Sequence, residues 1–519
     1  MKTFGRTTIY APYTEKDILS KPEAKQNEII LEILKNSIGI HEQNRTETLY
    51  LKDYLRGIQD IYIDKQKHTR PEINNKTVEN WAWAIVDFKK CYQLGKPIQY
   101  VQINDGGEKE IALLNKYVRF ENKKAKDMSL YEDVLTCGRA FMFKGYQKTT
   151  EDDQAPFELL VCNAEDTEVI YSSKLGNEQI GAYIQTSMEH IVSTIDTNTG
   201  EKINTPQIYH EYTFYLRNRQ VVFSDISGEL QVVEKSSKPI VMNEHSITEY
   251  YTNKYRISLI EIGKDLFNDI NYLESLDKDD MESFVNAIMV FTNVEVTENE
   301  ISQIKQLGAV CINSTENKKA SIELLAQRLN ATDTQTYYTR LLTSLHQILG
   351  VPMATDNGSV TSGDTGKAKL TGQGYTTAGI RAEGDETMFG MCDMEMLRGV
   401  IKCCKLSPTS DIKTINVSDI EPKFNRDMSD NLLTKTQALL NLYSADIPRN
   451  FANAIVGLFG DANAITTAQE RLFGKQVSQL GGGNTDLSIN ENNEVETQDI
   501  ADNQANKITE ATERDEQGV

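Results

Sequence analysis

An α+β fold organised around unusually long helices is what this 519-residue sequence predicts, and three observations predict it. First, residues 257–289 contain no proline. They repeat apolar side chains at Leu259, Ile262, Leu266, Ile270, Leu273, Leu276, Met281, Phe284 and Ile288. Asp265, Asp269, Glu274, Asp277 and Asp280 occupy the other face, which is the pattern of one amphipathic helix. At 1.5 Å per residue that helix is roughly 45 to 50 Å long, well above the globular mean. Second, residues 139–223 alternate β-branched and aromatic runs with turn residues. Third, a helical pattern returns at 366–405 although Gly372, Gly374, Gly379, Gly384 and Gly390 interrupt it. Each interior glycine costs roughly 0.8 to 1 kcal/mol relative to alanine, so a kinked or broken helix is expected there.

The remaining elements follow in order. The N-terminal 45 residues read as an arm with one amphipathic helix, Lys25 to Ser37. Leu51 to Asp64 is helical in pattern. Asn75 to Leu94 is expected as a helix with Val78, Trp81, Ala82, Ile85, Val86 and Phe88 inward, closed by Gly95 and Pro97. Ile98 to Val101 is extended, and helices follow at Glu108 to Asn122 and Ala125 to Cys137. Strands are expected at Arg139 to Tyr146, Phe157 to Cys162, Thr167 to Tyr171, Ala182 to Thr186, Ile208 to Arg217 and Gln220 to Phe223. Turns separate them at Asn198–Gly200 and Asn218–Arg219. Beyond the long helix, Ala287 to Val296 reads as a strand. Thr297 and Glu300 form a capping box opening a short helix that ends near Leu307 and Gly308. Ala309 to Ile312 is a second strand and Ser321 to Leu325 a candidate third. A second capping box, Thr332 with Gln335, opens a helix through Leu341, Leu345 and Leu349 that Gly350 and Pro352 stop. Helices recur between Asp427 and Leu480. The last 39 residues hold ten acids and two bases after a Gly481–Gly483 run, a composition that predicts a disordered tail.

Composition narrows the function. Lys plus Arg number 55 against 76 Asp plus Glu, a net charge of −21. That balance argues against a general nucleic-acid binder, whose affinity comes from neutralised phosphates. It still leaves room for a surface that a duplex passes without adhering. No apolar run reaches the roughly 20 residues of a membrane helix, and the N-terminus lacks the apolar core of a secretory signal. Seven dispersed cysteines with no C-x-x-C pair suit buried thiols in a reducing compartment, so an intracellular protein without a membrane partner is expected.

Sharper chemistry finds little support. Ser362-Gly-Asp-Thr-Gly-Lys367-Ala368 approaches a phosphate loop, but Thr361 and Ala368 stand where that motif needs glycine and a hydroxyl, and no apolar strand precedes it. Lys367 and Lys369 with Arg381 form a locally basic patch, read either as a contact for DNA phosphates or as a solvated helix face. The six histidines show no metal spacing. Asp277, Asp279, Asp280 and Glu282 cluster, yet lie on a helix and lack the glycine of a calcium loop, so a solvated face or inter-subunit salt bridges is the expectation. Trp81 and Trp83 point to different helix faces, one into the core. His346 is expected at a surface or interface. No nucleophile–base constellation appears, and neither catalysis, cofactor nor metal is expected.

The order of features resembles the portal proteins of long-tailed bacteriophages of Gram-positive bacteria. The resemblance rests on Tyr54–Ile63 (YLRGIQDIYI), Asn74–Tyr100, Cys137–Tyr146 (CGRAFMFKGY) and Asn163–Ile184. It continues with GVP at 350–352 followed by SGDTGKAKL at Ser362–Leu370, and with KFNRDMSDN at Lys423–Asn431. It implies an α+β, portal-like multi-domain subunit with an α+β wing, long stem helices, a small α+β clip, a kinked channel helix and a helical crown. On this chain the parts fall as an N-terminal arm at 1–45, wing at 46–255, stem helix at 256–286, clip at 287–331 and second stem helix at 332–350. A channel loop at 351–365, a long kinked helix and return to the wing at 366–430, a crown at 431–480 and the acidic tail at 481–519 complete it.

The implied function is a homo-oligomeric ring, a dodecamer, at one capsid vertex of the virion, assembled in the bacterial host cytoplasm. Double-stranded DNA is packaged and ejected through its channel. The implied partners are the large terminase subunit, head–tail connector or adaptor proteins, and the major capsid and scaffolding proteins. Asp356, Asn357, Ser359, Thr361, Ser362 and Asp364 would line the channel, with Lys367, Lys369 and Arg381 as candidate DNA contacts. Val294, Glu295, Glu298, Glu300, Lys305, Lys318 and Lys319 would dock partners at the clip. Two other readings are another connector or minor head protein, and a nucleotide-dependent DNA-processing enzyme, which the missing phosphate loop disfavours.

Overall fold

The structure, a computed structural model, describes residues 4–67, 71–103, 106–148, 154–195, 202–285, 288–292, 321–325, 331–353, 375–426 and 432–445, together with Ala452. Strand β1 (Ile9–Ala11) opens the chain, followed by α1 (Glu15–Leu19). A complete capping box starts α1, with Thr14 Oγ1 accepting from the Asp17 amide and the Asp17 carboxylate accepting from the Thr14 amide. Helix α2 (Glu23–Leu55) runs 33 residues without a break. The expected helix at 25–37 and the start of the one at 51–64 are therefore a single rod that crosses position 45. Apolar periodicity fades between them because the inward positions there are polar and individually partnered. His41 meets the Tyr183 hydroxyl at 3.1 Å and the Glu165 carbonyl at 2.9 Å. Asn44 donates to Thr7 O and Glu168 Oε1, each at 2.9 Å.

After the short α3 (Ile61–Asp64), helix α4 (Trp81–Leu94) starts six residues later than expected. Residues 75–80 spend their backbone amides elsewhere. Asn75 N donates to Asp279 Oδ1 (2.6 Å), Thr77 N to Ser275 Oγ (2.8 Å) and Glu79 N to Asn271 Oδ1 (2.8 Å). Asn80 then caps α4 through the Trp83 amide. Strand β2 (Gln99–Gln102) and helices α5 (Glu108–Phe120) and α6 (Lys123–Cys137) follow as the sequence predicts, within two residues at each end.

The strand-rich block comprises β3 (Ala140–Tyr146), β4 (Phe157–Cys162), β5 (Thr167–Ser172), β6 (Gln179–Ile195), β7 (Lys202–Tyr215), β8 (Arg219–Ser224), β9 (Gln231–Val232), β10 (Lys238–Pro239) and β11 (Ile247–Tyr250). A seven-stranded sheet takes the order β1-β5-β6-β7-β8-β10, with β9 also on β8, and a three-stranded sheet the order β11-β3-β4. Within the large sheet β1 is parallel to β5 and the other pairings are antiparallel. Residues 1–45 thus supply a sheet strand as well as most of α2. Ile29, Ile30, Ile33 and Leu34 of α2 pack on Tyr183, Tyr212, Phe214 and Phe223 of this sheet to form one core.

Helix α7 (Leu259–Val285) leads to an antiparallel pair, β12 (Ile288–Thr292) with β13 (Ser321–Leu325), and α8 (Ala331–Leu349) returns. The expected helix at 297–307 and strand at 309–312 lie outside the described residues, as does the Asn198–Gly200 turn. Helix α9 (Tyr375–Leu406) is one unbroken element through Gly379, Gly384 and Gly390, whereas Gly372 and Gly374 of the expected 366–405 stretch lie outside the described residues. At Gly399 an added Cβ would lie 2.7 Å from the Lys144 side chain, so close packing accounts for a glycine there. A 3₁₀ turn (Val417–Asp419) leads to β14 (Ile420–Lys423), which pairs with β2, and α10 (Leu432–Ser444) completes the described elements. The principal core joins the end of α2, α4, α5, α6, β3, the first half of α7, the second half of α8, and α9.

Candidate functional site

The site is the junction from which α7 and α8 extend and from which residues 354–374 leave and return. Helix α7 is held along one side by the polar rung at 59–79. Lys65 Nζ sits between Asp279 Oδ2 (2.7 Å) and the carbonyls of Asn75 (2.7 Å) and Ser275 (3.2 Å). Asp279 is fully buried, which corrects its reading as part of a solvated acidic face. A buried carboxylate with no partner would be strongly destabilising, so Lys65 and Asn75 are what keep it tolerable there. Asp60 bridges to Lys264 at 3.0 Å and accepts from Asn268 at 3.0 Å. At 100° per residue, Lys264, Asn268, Asn271, Ser275 and Asp279 fall on one flank of the helix.

The apolar stripe of α7 is narrower than the sequence implies. Leu259, Phe267 and Ile270 are buried, whereas Ile262 is 53 % and Met281 67 % exposed. Tyr272 joins Ile262, Asp265 and Asp269 on the outer face. On α8, Leu341, Leu342, Leu345 and Leu349 pack inward. Before Leu341, Thr332, Asp333, Gln335, Thr336, Tyr337, Thr339 and Arg340 are all exposed. One face of the first half of this 19-residue helix is therefore open to solvent, while Tyr338 packs against the core from the other.

The described residues on either side of 354–374 are tied to this junction. Gly350 adopts φ +65°, in the left-handed region that suits a residue just past a helix end. A Cβ there would meet the Arg381 side chain at 2.3 Å. Arg381 donates to the carbonyls of Gln347 (3.2 Å) and Ile348, satisfying acceptors that α8 leaves open at its C-terminus, where a cation is also favoured by the helix dipole. His346 Nδ1 lies 3.3 Å from the Val351 carbonyl and 3.2 Å from that of Pro352, and its ring meets Trp81 edge-on. Glu79 Oε2 accepts from Trp81 Nε1 (2.6 Å) and from the Tyr338 hydroxyl (2.8 Å), joining α4 to α8. On the returning side Tyr375 packs against Phe88 and Tyr92, which stack on each other at 5.6 Å. Arg426 reaches Gly379 O (2.9 Å) and Glu386 (3.0 Å). Burial raises Glu386 to about 7 in spite of that cation. Burial likewise lowers Lys89 and raises Asp385, which accepts from the Tyr131 hydroxyl at 2.9 Å.

Of the residues singled out in the sequence, Arg381 is exposed at the end of α8 as described. Asp356, Asn357, Ser359, Thr361, Ser362, Asp364, Lys367 and Lys369 lie outside the described residues. So do Val294, Glu295, Glu298, Glu300, Lys305, Lys318 and Lys319. Trp81 is half-buried and Trp83 is 55 % exposed, as their spacing implies. The Lys65–Asp279 rung and the Glu79 bridge have no local signature, because their partners are some 200 residues and more apart. Among the described residues no group of His, Cys, Asp and Glu is arranged to hold a metal, and no helix is long and apolar enough to cross a membrane.

Paired long helices on an α+β body, with a strand pair at the turn between them, define a structural subunit more than a catalytic one. Residues 34–450 match the sequence profile of the family described as phage portal protein, SPP1 Gp6-like, and the chain belongs to that family. The family comprises structural, non-catalytic components of bacteriophage capsids with a general role in the DNA channel and in packaging. No curated protein matches the chain. Among solved structures, "Neck of empty GTA particle computed with C6 symmetry" is similar over 73 % of this chain and 90 % of that one, at 10 % identity and a TM-score of 0.39.

Proposed function

We propose that this chain is the repeating subunit of a closed ring of twelve copies at one capsid vertex, through which double-stranded DNA enters and leaves. In this reading residues 46–255 are the wing, α7 and α8 the stem, 287–331 the clip, 351–365 the channel loop and 431–480 the crown. The clip docks the large terminase subunit during packaging and connector proteins afterwards, and capsid and scaffolding proteins surround the wing. The observation that carries the reading is the α7–β12–β13–α8 excursion in a chain of the portal family. The exposed first half of α8 and the exposed Ile262, Tyr272 and Met281 of α7 are surfaces a single subunit leaves uncovered. Repeated heterologous contacts that close give a ring. The net charge of −21 limits adhesion of the duplex to the wall.

The test lies just past the channel loop. Replacing Lys367 and Lys369 with alanine is expected to lower the DNA packaged into, or retained by, assembled procapsids while rings still form. Wild-type packaging and retention by that double variant would remove both lysines from the mechanism.

A further inference from the structure

The longest strand pair among the described residues outruns its sheet. β6 and β7 pair over fourteen positions, from Ala182↔Tyr215 to Ile195↔Lys202. On the outer side of β6, β5 reaches only Ile184, and on the outer side of β7, β8 reaches only Glu211. His210 still bonds Asp225 through its own N–H and carbonyl, and the eight pairs beyond it, from Met188↔Tyr209 to Ile195↔Lys202, stand as a bare two-stranded ribbon. At about 3.3 Å per residue it reaches roughly 30 Å beyond the sheet. Every residue from Thr186 to Ile191, and from Pro206 to Ile208, is exposed. Successive residues of a strand point to opposite faces, so neither face of this part rests on the body. Its apolar side chains are open to solvent, with Ile191 at 64 %, Ile208 at 68 % and Met188 at 39 % exposure. Two-stranded ribbons are marginally stable alone, and clustered exposed apolar residues mark contact surfaces.

We infer that this ribbon is an inter-subunit arm that lies on a second copy of this chain; the inference rests on the ring reading above. Charge selects the occupant. Copies of a chain at −21 repel wherever their acidic surfaces meet. The paired strands, Ser187–Ile195 and Lys202–His210, carry one acid, Glu189, and one base, Lys202, so their faces are neutral, while the residues that join them add Asp196 and Glu201. Those strand faces are a surface that one acidic copy can lay on another with few like charges brought together. Size agrees. One face of a ribbon roughly 30 Å by 10 Å covers about 300 Å², below the ~800 Å² per partner of a lasting two-body interface. An arm that small cannot hold an isolated dimer. In a ring each subunit gives one arm and receives one, and the stem surfaces add to both contacts. The arm and the surface that receives it are different patches, which is the heterologous geometry a ring requires.

Native mass spectrometry of the purified full chain and of the Ile191→Glu, Ile208→Glu double variant tests this, with hydrogen exchange on both. Both positions are exposed, so the subunit fold is expected to melt as the wild type does. A second variant, Ile191→Thr with Ile208→Thr, keeps β-branched side chains and hence strand propensity. The expected result is rings for the wild type and at least a tenfold higher concentration for half-assembly of the Glu variant. The Thr variant should fall between, and the amides of 187–195 and 202–210 should be protected only in rings. Full rings of both variants at wild-type concentration, or ribbon amides unprotected within rings, would overturn the arm. So would normal rings of the variants that fail to enter procapsids, which would place the ribbon on the shell protein. A wild type that forms no ring in solution or in particles would instead defeat the ring reading itself.

Discussion

Lys123 shows how much of this molecule is decided by single buried charges. It is fully buried at the start of α6, with Asp127 at 2.7 and 2.8 Å and Asp393 of α9 at 2.8 Å. Asp393 also accepts from the hydroxyls of Tyr100 (2.6 Å) and Tyr250 (3.1 Å), so four elements meet on it. One cation thus faces two carboxylates. Burial pushes Asp127 up to about 7, with the Asp393 charge adding to the rise and Lys123 and Lys126 opposing it. The native pKa lies above the unfolded value of about 3.9. The contribution of Asp127 to stability is then fully present below about pH 4 and lost as pH rises through about 7. Asp127→Asn is therefore expected to be most damaging near pH 5 and least near pH 8, as read from thermal melts of both proteins across that range. A difference between the two that stays constant with pH would contradict this. Only the i, i+4 spacing of Lys123 and Asp127 is visible in the sequence. Asp393, Tyr100 and Tyr250 come from distant segments and carry no local mark.

Legibility at the level of elements follows from what each element packs against. β4 falls exactly on Phe157–Cys162, and α5, α6 and α8 lie within a few residues of expectation, because their buried faces repeat cleanly. The middle of α2 was unreadable because His41 and Asn44 fill inward positions that normally hold aliphatic side chains. The outer part of β6 was unreadable because a ribbon exposed on both faces has no alternation to detect. Residues 75–80 look helical, yet their amides bond to α7, a long-range contact that overrides propensity. Arg381 shows the same limit for the site. The basic patch offered it as a DNA contact or as part of a solvated helix face, whereas its place against the C-terminal end of α8 gives it a further task. Arg381→Ala removes charge-assisted donors from two C-terminal carbonyls and is expected to cost about 1 to 2 kcal/mol in urea unfolding. An unchanged midpoint and slope would show that the clamp contributes nothing to the fold.

At the scale of the whole molecule, the uncovered surfaces are the informative part. The α7–α8 pair, through Ile262, Tyr272, Met281 and Tyr337, and the β6–β7 ribbon each leave apolar groups in water that a lone subunit does not bury. The sequence conveyed the helix pair and the overall acidity. It did not convey the ribbon, the grip of residues 59–79 on α7 or the anchoring of residues 354–374 at both ends. These depend on partners far apart in the chain. The account's central claim is that the uncovered surfaces are closed by other copies around a DNA channel. Cryo-electron microscopy of the purified full chain tests it most directly. The expected result is a closed ring of about twelve copies, with α7 and α8 around a central channel and residues 353–365 at its narrowest part. A monodisperse monomer or dimer, or a ring with that helix pair on its outer surface, would contradict the account.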